Sequence, residues 1–177
     1  MNINTSNLDT TIEHWASIDG YLNYQVSWWG RVMNTKTGRI LKGSMTRGYL
    51  RVGLCKNGKH KLISVHSLVA REWVPNPENK RCVDHINGDR SNNNYENLRY
   101  ATSAENSMNR ATSNDRSSVY KGVSIHKATN KWQTFIWING ANKNLGSYTT
   151  EREAAEVYNA AAVKFYKNFA KLNVFED

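Results

Sequence analysis

The sequence predicts an α+β protein: small antiparallel sheets and short helices, arranged in two modules with a linker between them. Three observations carry this. Apolar and polar residues alternate over short runs, as in Tyr49 to Leu54 and Lys131 to Ile138, which is the period of half-buried strands. Asn-Gly pairs at 57–58, 87–88 and 139–140 lie between or beside such runs and favour tight turns. The pattern Thr-x-x-Glu occurs at Thr102/Glu105 and Thr150/Glu153, each time opening a segment with helical spacing.

Taken in order, residues 1–12 read as a polar leader and residues 13–64 as a β-rich module of short strands broken by Gly turns. In its Tyr49–Leu54 run, Leu50, Val52 and Leu54 face one way and Tyr49 and Arg51 the other. Asn57-Gly58 turns the chain back into Lys59–Ser64. Ser64 caps a short helix with Val65, Leu68, Val69 and Trp73 on one face, stopped by Pro75 and Pro77. A strand from Val83 to Ile86, an Asn-rich loop (Asn92, Asn93, Asn94) and a strand from Leu98 to Ala101 lead into the helix capped at Thr102. Residues 65–110 thus form a second segment. Residues 111–118 have no large apolar side chain and read as a linker. Residues 119–177 hold three strands (Tyr120–Ile125, Lys131–Ile138, Lys143–Tyr148) and a helix with Ala154, Ala155, Tyr158, Ala161, Ala162 and Phe165 on its apolar stripe.

A length of 177 residues and a formal charge of +9 suit one medium or two small domains with a polyanionic partner. The charge is uneven. No acidic residue stands between Asp19 and Glu72, where Arg31, Arg47 and Arg51 fall among ten cations, more than a mixed solvated surface needs. Cys55 and Cys82 are far apart and lack a C-x-x-C partner, so neither a disulfide framework nor a cysteine-ligated zinc site is expected. No apolar run has the look of a signal peptide or a membrane span, and an intracellular protein is expected.

Asp84-His85 at the end of an apolar strand is the chemically suggestive pair. Hydrolysis of a phosphodiester needs a base to activate water, which neutral histidine supplies near neutral pH, and a cation to stabilise the phosphorane. A carboxylate and an amide oxygen suit a hard cation, which makes Asp84 and Asn106 candidates. Adjacent strand residues point to opposite faces, so Asp84 and His85 diverge unless the strand bulges. Asn97 is placed to hold an imidazole nitrogen, and Arg99 beside it is a candidate phosphate contact. His66 reads as structural or phosphate-contacting, and His14 and His60 as surface residues. Of Trp28 and Trp29, one is expected in the core, and an exposed one would suit stacking on a base.

These residues carry a resemblance. Val83-Asp84-His85-Ile86-Asn87-Gly88-Asp89, Asn92-Asn93-Asn94, Asn97-Leu98-Arg99, Ala101-Thr102 and Glu105-Asn106 resemble the H-N-H (ββα-metal) nuclease motif. Upstream, Trp15-x-x-Ile18-x-Gly20-Tyr21, Gly30-Arg31-Val32 and Gly38-Arg39-Ile40-Leu41-Lys42 resemble the nuclease-associated modular domain. The resemblance implies His85 as general base, Asn97 orienting it, and Asp84 and Asn106 as ligands of one divalent cation, Mg²⁺ or Mn²⁺. The products would carry a 5′ phosphate and a 3′ hydroxyl.

In the C-terminal segment, Tyr120-Lys121-Gly122-Val123, Lys131-Trp132, Leu145-Gly146-x-Tyr148 and Tyr158-x-x-Ala161-Ala162 resemble the ethylene-response-factor (APETALA-type) DNA-binding domain. This implies a three-stranded antiparallel sheet packed on one helix, with the sheet in the major groove. Lys121, His126, Lys131, Gln133, Phe135, Trp137 and Asn142 are the candidate DNA contacts. Ser124, Phe135 and Asn144 depart from that family's arginine, glutamate and tryptophan, so its sequence preference does not transfer. Together the two resemblances imply a site-directed endonuclease of the homing type acting on double-stranded DNA, as a monomer or a dimer, nicking or cutting both strands. The alternative is a DNA-binding regulator that no longer cuts.

Overall fold

The computed structural model describes residues 9–111 and 117–175, so most of the expected leader (1–8) and linker (112–116) lies outside the described residues. The described residues form two compact units, divided between Ser103 and Ala104.

The first unit begins with four short strands, β1 (Trp15–Ser17), β2 (Tyr24–Ser27), β3 (Val32–Asn34) and β4 (Arg39–Ile40), paired antiparallel in that order. A second antiparallel meander follows: β5 (Ser44–Thr46), β6 (Tyr49–Lys56) and β7 (Lys59–Ser64). The helix α1 (Val65–Trp73) then leads to a two-stranded ribbon of β8 (Cys82–His85) and β9 (Leu98–Ala101), and α2 (Ser103–Met108) comes next.

The alternation along β6 does what the sequence expects, burying Val52 and Leu54 while Gly53 faces out. On α1, Val65, Leu68, Val69 and Trp73 are buried at helical spacing. These side chains join Val26, Trp28, Val32 and Leu98 in one core, so residues from both expected segments, 13–64 and 65–110, share it. Each fully buried Leu or Val there contributes about 1.5–3 kcal/mol. The helix stops at Val74, whose extended conformation is imposed by Pro75 and whose N–H still reaches the Ala70 carbonyl.

Trp28 is the centrepiece. Its ring stacks on Tyr95 at 5.1 Å and lies 5.9 Å from Trp73, while Trp29 beside it is 42% exposed. Two expectations change here. Ser64 stands at the N-cap of α1, immediately before Val65, but makes no side-chain capping bond. His14, expected at the surface, packs edge-on against Trp28 at 4.5 Å.

In the second unit β10 (Val123–His126), β11 (Lys131–Ile138) and β12 (Ala141–Tyr148) form an antiparallel sheet, and α3 (Glu151–Tyr166) packs on it. Both halves of the Thr150/Glu153 capping box are formed. Ile136, Ile138, Tyr158, Ala162 and Tyr166 make one core cluster, and Val123, Ala154 and Ala155 another. The first strand starts at Val123 rather than Tyr120, because Gly122 has a φ of +78° that ends extended structure. A Cβ at Gly122 would stand 2.1 Å from the Tyr158 ring, so only glycine fits beneath the helix. Phe165, expected on the apolar stripe, is 45% exposed, and Tyr166 takes the buried place. Its hydroxyl explains why: it donates to the Trp137 carbonyl at 2.7 Å and accepts from the Trp137 N–H at 3.1 Å, tying α3 to β11.

Candidate active site

The ribbon sets the site. Asp84 pairs with Arg99 across it and His85 with Leu98, in regular register without a bulge. Residues directly opposite in an antiparallel pair share a face, so Asp84 meets Arg99 and His85 points the other way. Both are buried, at 4% and 5% exposure. Two N–H groups of the Arg99 guanidinium donate to Oδ2 of Asp84, Nε at 2.9 Å and Nη2 at 2.7 Å, which fixes that carboxylate in one rotamer.

His85 enters a cluster of rings. His66 of α1 lies edge-on at 5.2 Å, and Tyr49 of β6 lies at 6.0 Å from His85 and 5.0 Å from His66. Nε2 of His85 is 3.3 Å from Oδ1 of Asn93, while the Asn93 amide nitrogen donates to the Ser91 carbonyl at 3.0 Å. With the amide so oriented, Nε2 is the donor and Nδ1 holds the lone pair. Burial pushes the imidazole below its usual range, opposed by the Asn93 hydrogen bond and the Asp84 and Asp89 carboxylates. His66 goes further, pushed down to about 4 by burial and by His85, and its Nδ1 is buried without a partner.

Asn97 works differently from expectation. Its Oδ1 accepts from the Asn87 N–H at 3.0 Å and its Nδ2 donates to the Asn92 carbonyl at 2.9 Å. The amide is spent on clamping the loop between β8 and β9, and Asn93 within that loop is the residue that meets the imidazole. The Asn97 amide thus bonds the loop backbone, and the loop in turn carries Asn93 to the imidazole. The loop also leans on the first module, since the Tyr95 N–H donates to the Trp28 carbonyl at 2.8 Å. Gly30 is needed there: it has a φ of +86°, and a Cβ would come within 2.8 Å of Asn93. Asn106 lies half-buried on α2, in the second unit.

The candidate DNA contacts divide. Arg31 is held by Glu13, with Nε donating at 2.8 Å, and lies over the Trp15 ring. Arg99 is held by Asp84, and the Lys121 ammonium donates to the Met108 carbonyl. These three are engaged within the protein. His126 Nδ1 is 2.9 Å from the Thr129 hydroxyl, and Gln133 reaches Ser147 at 3.5 Å. Lys131, Trp137 and Asn142 are exposed on the sheet, Trp137 at 60%, with Phe135 half-buried beside them. Arg47 is exposed, and Arg51 is half-buried with Nη2 donating to the Leu62 carbonyl at 3.0 Å. Sequence reasoning gave no role to Asn93, Tyr49 or Arg90. Arg90 stacks over Tyr49 at 4.9 Å and helps keep His85 below its usual range. No local pattern distinguishes Asn93 from its two Asn neighbours.

A buried Asp-His pair on a two-stranded ribbon that runs into a helix defines the class, a ββα nuclease. A family model described as HNH endonuclease matches residues 64–108, and one described as the NUMOD4 motif matches residues 13–55. DNA endonuclease I-HmuI of Bacillus phage SP01 is 41% identical over 122 residues, 66% of this chain and 68% of that one. A solved structure of DNA binding and cleavage by the HNH homing endonuclease I-HmuI aligns with a TM-score of 0.52 and 32% identity, covering 85% of this chain and 90% of that one. The chain belongs to the HNH endonuclease family.

An uncharacterised HNH endonuclease of Acanthamoeba polyphaga mimivirus is 36% identical over 141 residues, 78% of this chain, which spans only 41% of that relative's length. A rice APETALA2-like protein is 40% identical over 58 residues, a third of this chain and 13% of its own length. HNH nucleases as a class depend on a divalent cation. Among the described residues, no helix is long and apolar enough to cross a membrane.

Proposed function

We propose that the chain is a site-directed DNA endonuclease of the homing type, with its chemistry at His85 and its address supplied in part by the sheet of the second unit. The observation that carries this is His85 itself: buried, its imidazole pushed below its usual range chiefly by burial, and its Nε2 facing Oδ1 of Asn93 at 3.3 Å, which leaves Nδ1 as the nitrogen that would act as base. As a water oxygen attacks phosphorus, Nδ1 takes its proton. The bond from phosphorus to the 3′ oxygen breaks, and that oxygen takes a proton from solvent water, leaving a 5′ phosphate and a 3′ hydroxyl.

Asp84 offers a carboxylate oxygen, and the motif resemblance alone assigns Asn106 as a second ligand through its amide oxygen. These hard donors suit Mg²⁺ or Mn²⁺, which fill their remaining positions with water and phosphate oxygens. Among the described residues no three His, Cys, Asp or Glu side chains gather as ligands, in keeping with so sparse a set. When bound, the cation supplies positive charge against the phosphate and the departing oxygen. Arg99 keeps Asp84 turned to one rotamer. Lys131, Trp137 and Asn142, exposed on one sheet, support contact with double-stranded DNA.

The experiment is incubation of purified protein with supercoiled DNA carrying candidate sites, in Mg²⁺, Mn²⁺ or EDTA. Discrete nicks or cuts at a fixed position, absent in EDTA, are expected. A footprint with no cleavage in either metal would favour the regulator reading, and cleavage spread over all sites would remove the site-directed one.

A further inference from the structure

Among the described residues, three two-residue hairpin turns share one backbone geometry. Asn57-Gly58 has φ values of 51° and 74°, Asn139-Gly140 has 52° and 76°, and Arg47-Gly48 has 51° and 81°. In each the flanking strands pair immediately outside the turn, Lys56 with Lys59, Ile138 with Ala141, and Thr46 with Tyr49. The first turn residue lies in the left-handed region, which Asn tolerates through local hydrogen bonding and a long side chain does not favour. Two turns use Asn there. The third uses Arg, and a residue kept in a disfavoured conformation points to work done by its side chain.

That side chain lines a cavity of about 430 Å³ together with Thr46, Tyr49, Arg51 and Ser64. The lining holds two guanidiniums, three hydroxyls and no carboxylate. Arg51 is anchored through the Leu62 carbonyl, and its Nε–H is buried without a partner. Ser64 makes no capping bond to α1. Fixed guanidinium forks and unspent donors around one cavity match the oxygens of a phosphate. Tyr49, one wall of the cavity, is also one wall of the base's ring cluster, 6.0 Å from His85.

We propose that this cavity seats one backbone phosphate of the DNA strand close to the scissile phosphate, gripped by Arg47 and Arg51, and so sets the register of the cut. The inference rests on the nuclease reading and adds a subsite to it. The hairpin turn gives up some stability in exchange for a cation at its tip.

Arg47→Asn tests it, because it installs the residue the other two turns use. The variant should melt at or above the wild-type temperature and bind DNA less tightly. The site is then read by replacing single phosphates with neutral methylphosphonates across the footprint and measuring binding in EDTA. One position should cost wild type about tenfold, the scale of a charge-assisted bond, and cost Arg47→Asn nothing further. Arg51→Lys, which keeps the charge and loses the fork, should be insensitive at that same position. Losses that simply add at every position, or an Arg47→Asn protein that melts lower and binds as wild type, would overturn the proposal. Wild-type cleavage of unmodified DNA in Mg²⁺ reports separately on the nuclease reading, since the phosphate scan needs no cutting.

Discussion

In the first unit the polar groups assigned to chemistry are buried and already hydrogen-bonded, Asp84 to Arg99, His85 to Asn93, and Asn97 to its own loop. In the second unit three of the seven side chains assigned to DNA, Lys131, Trp137 and Asn142, stand in solvent on the outer face of β11 and β12. The contrast follows from what each task requires. A base and a ligand must hold their geometry before the substrate arrives, so they are packed and paired in advance. A reading face must keep its donors and rings unspent until DNA supplies the partners. Substitutions at these buried chemical residues should therefore cost fold stability, and substitutions on the reading face should cost affinity.

The largest stability effect is expected at Asp84→Ala, which removes the carboxylate that accepts two hydrogen bonds from the half-buried Arg99 guanidinium. A loss of about 3 kcal/mol in urea unfolding is expected, and one below about 1 kcal/mol would show that the pair is not a structural element. Asn97→Ala removes the clamp on the Asn87 N–H and Asn92 carbonyl and should cost about 1–3 kcal/mol. It should also slow cleavage without weakening DNA binding, since both ends of the amide are spent on the loop backbone. If binding falls and stability does not, Asn97 belongs with the reading residues instead. Trp137→Ala should leave stability within about 0.5 kcal/mol and weaken binding about tenfold, measured by gel shift at fixed salt. Melting lower with affinity intact would reverse its assignment.

The smallest effect concerns pH. His66 titrates near 4 in the folded chain against an ordinary 6.5, so the unfolded chain binds more protons between those values. Its contribution to stability is full above 6.5 and is lost as pH falls towards 4. His66→Phe should flatten that part of the melting-temperature profile, and an unchanged slope would place the titration elsewhere.

Much of this was legible locally. The β6–β7 hairpin followed from alternation around Asn57-Gly58, α1 from its spacing and its prolines, and α3 from its capping box, because each depends on neighbours in sequence. The divergence of Asp84 and His85 was also readable from strand geometry alone. What stayed hidden was long-range pairing. Nothing near Arg31 announces Glu13, and nothing in the Asn92-Asn93-Asn94 run says that only the middle one is buried against an imidazole. Tyr49 and His66 reach His85 from separate elements, and only the folded core brings them together. Phe165 and Tyr166 were interchanged because the Tyr166 hydroxyl finds the Trp137 backbone, a bond that helical periodicity does not encode.

The central claim is that His85 carries chemistry and not affinity. Its most direct test is one end-labelled DNA carrying the mapped site, cut in Mg²⁺ by wild type and by His85→Ala, with the footprint of each recorded alongside. The prediction is an unchanged footprint and cleavage slower by about 10²–10⁴-fold, the scale of a lost general base. Cleavage that persists at the wild-type rate, or a footprint lost together with the cut in a variant that still melts cooperatively, would contradict it.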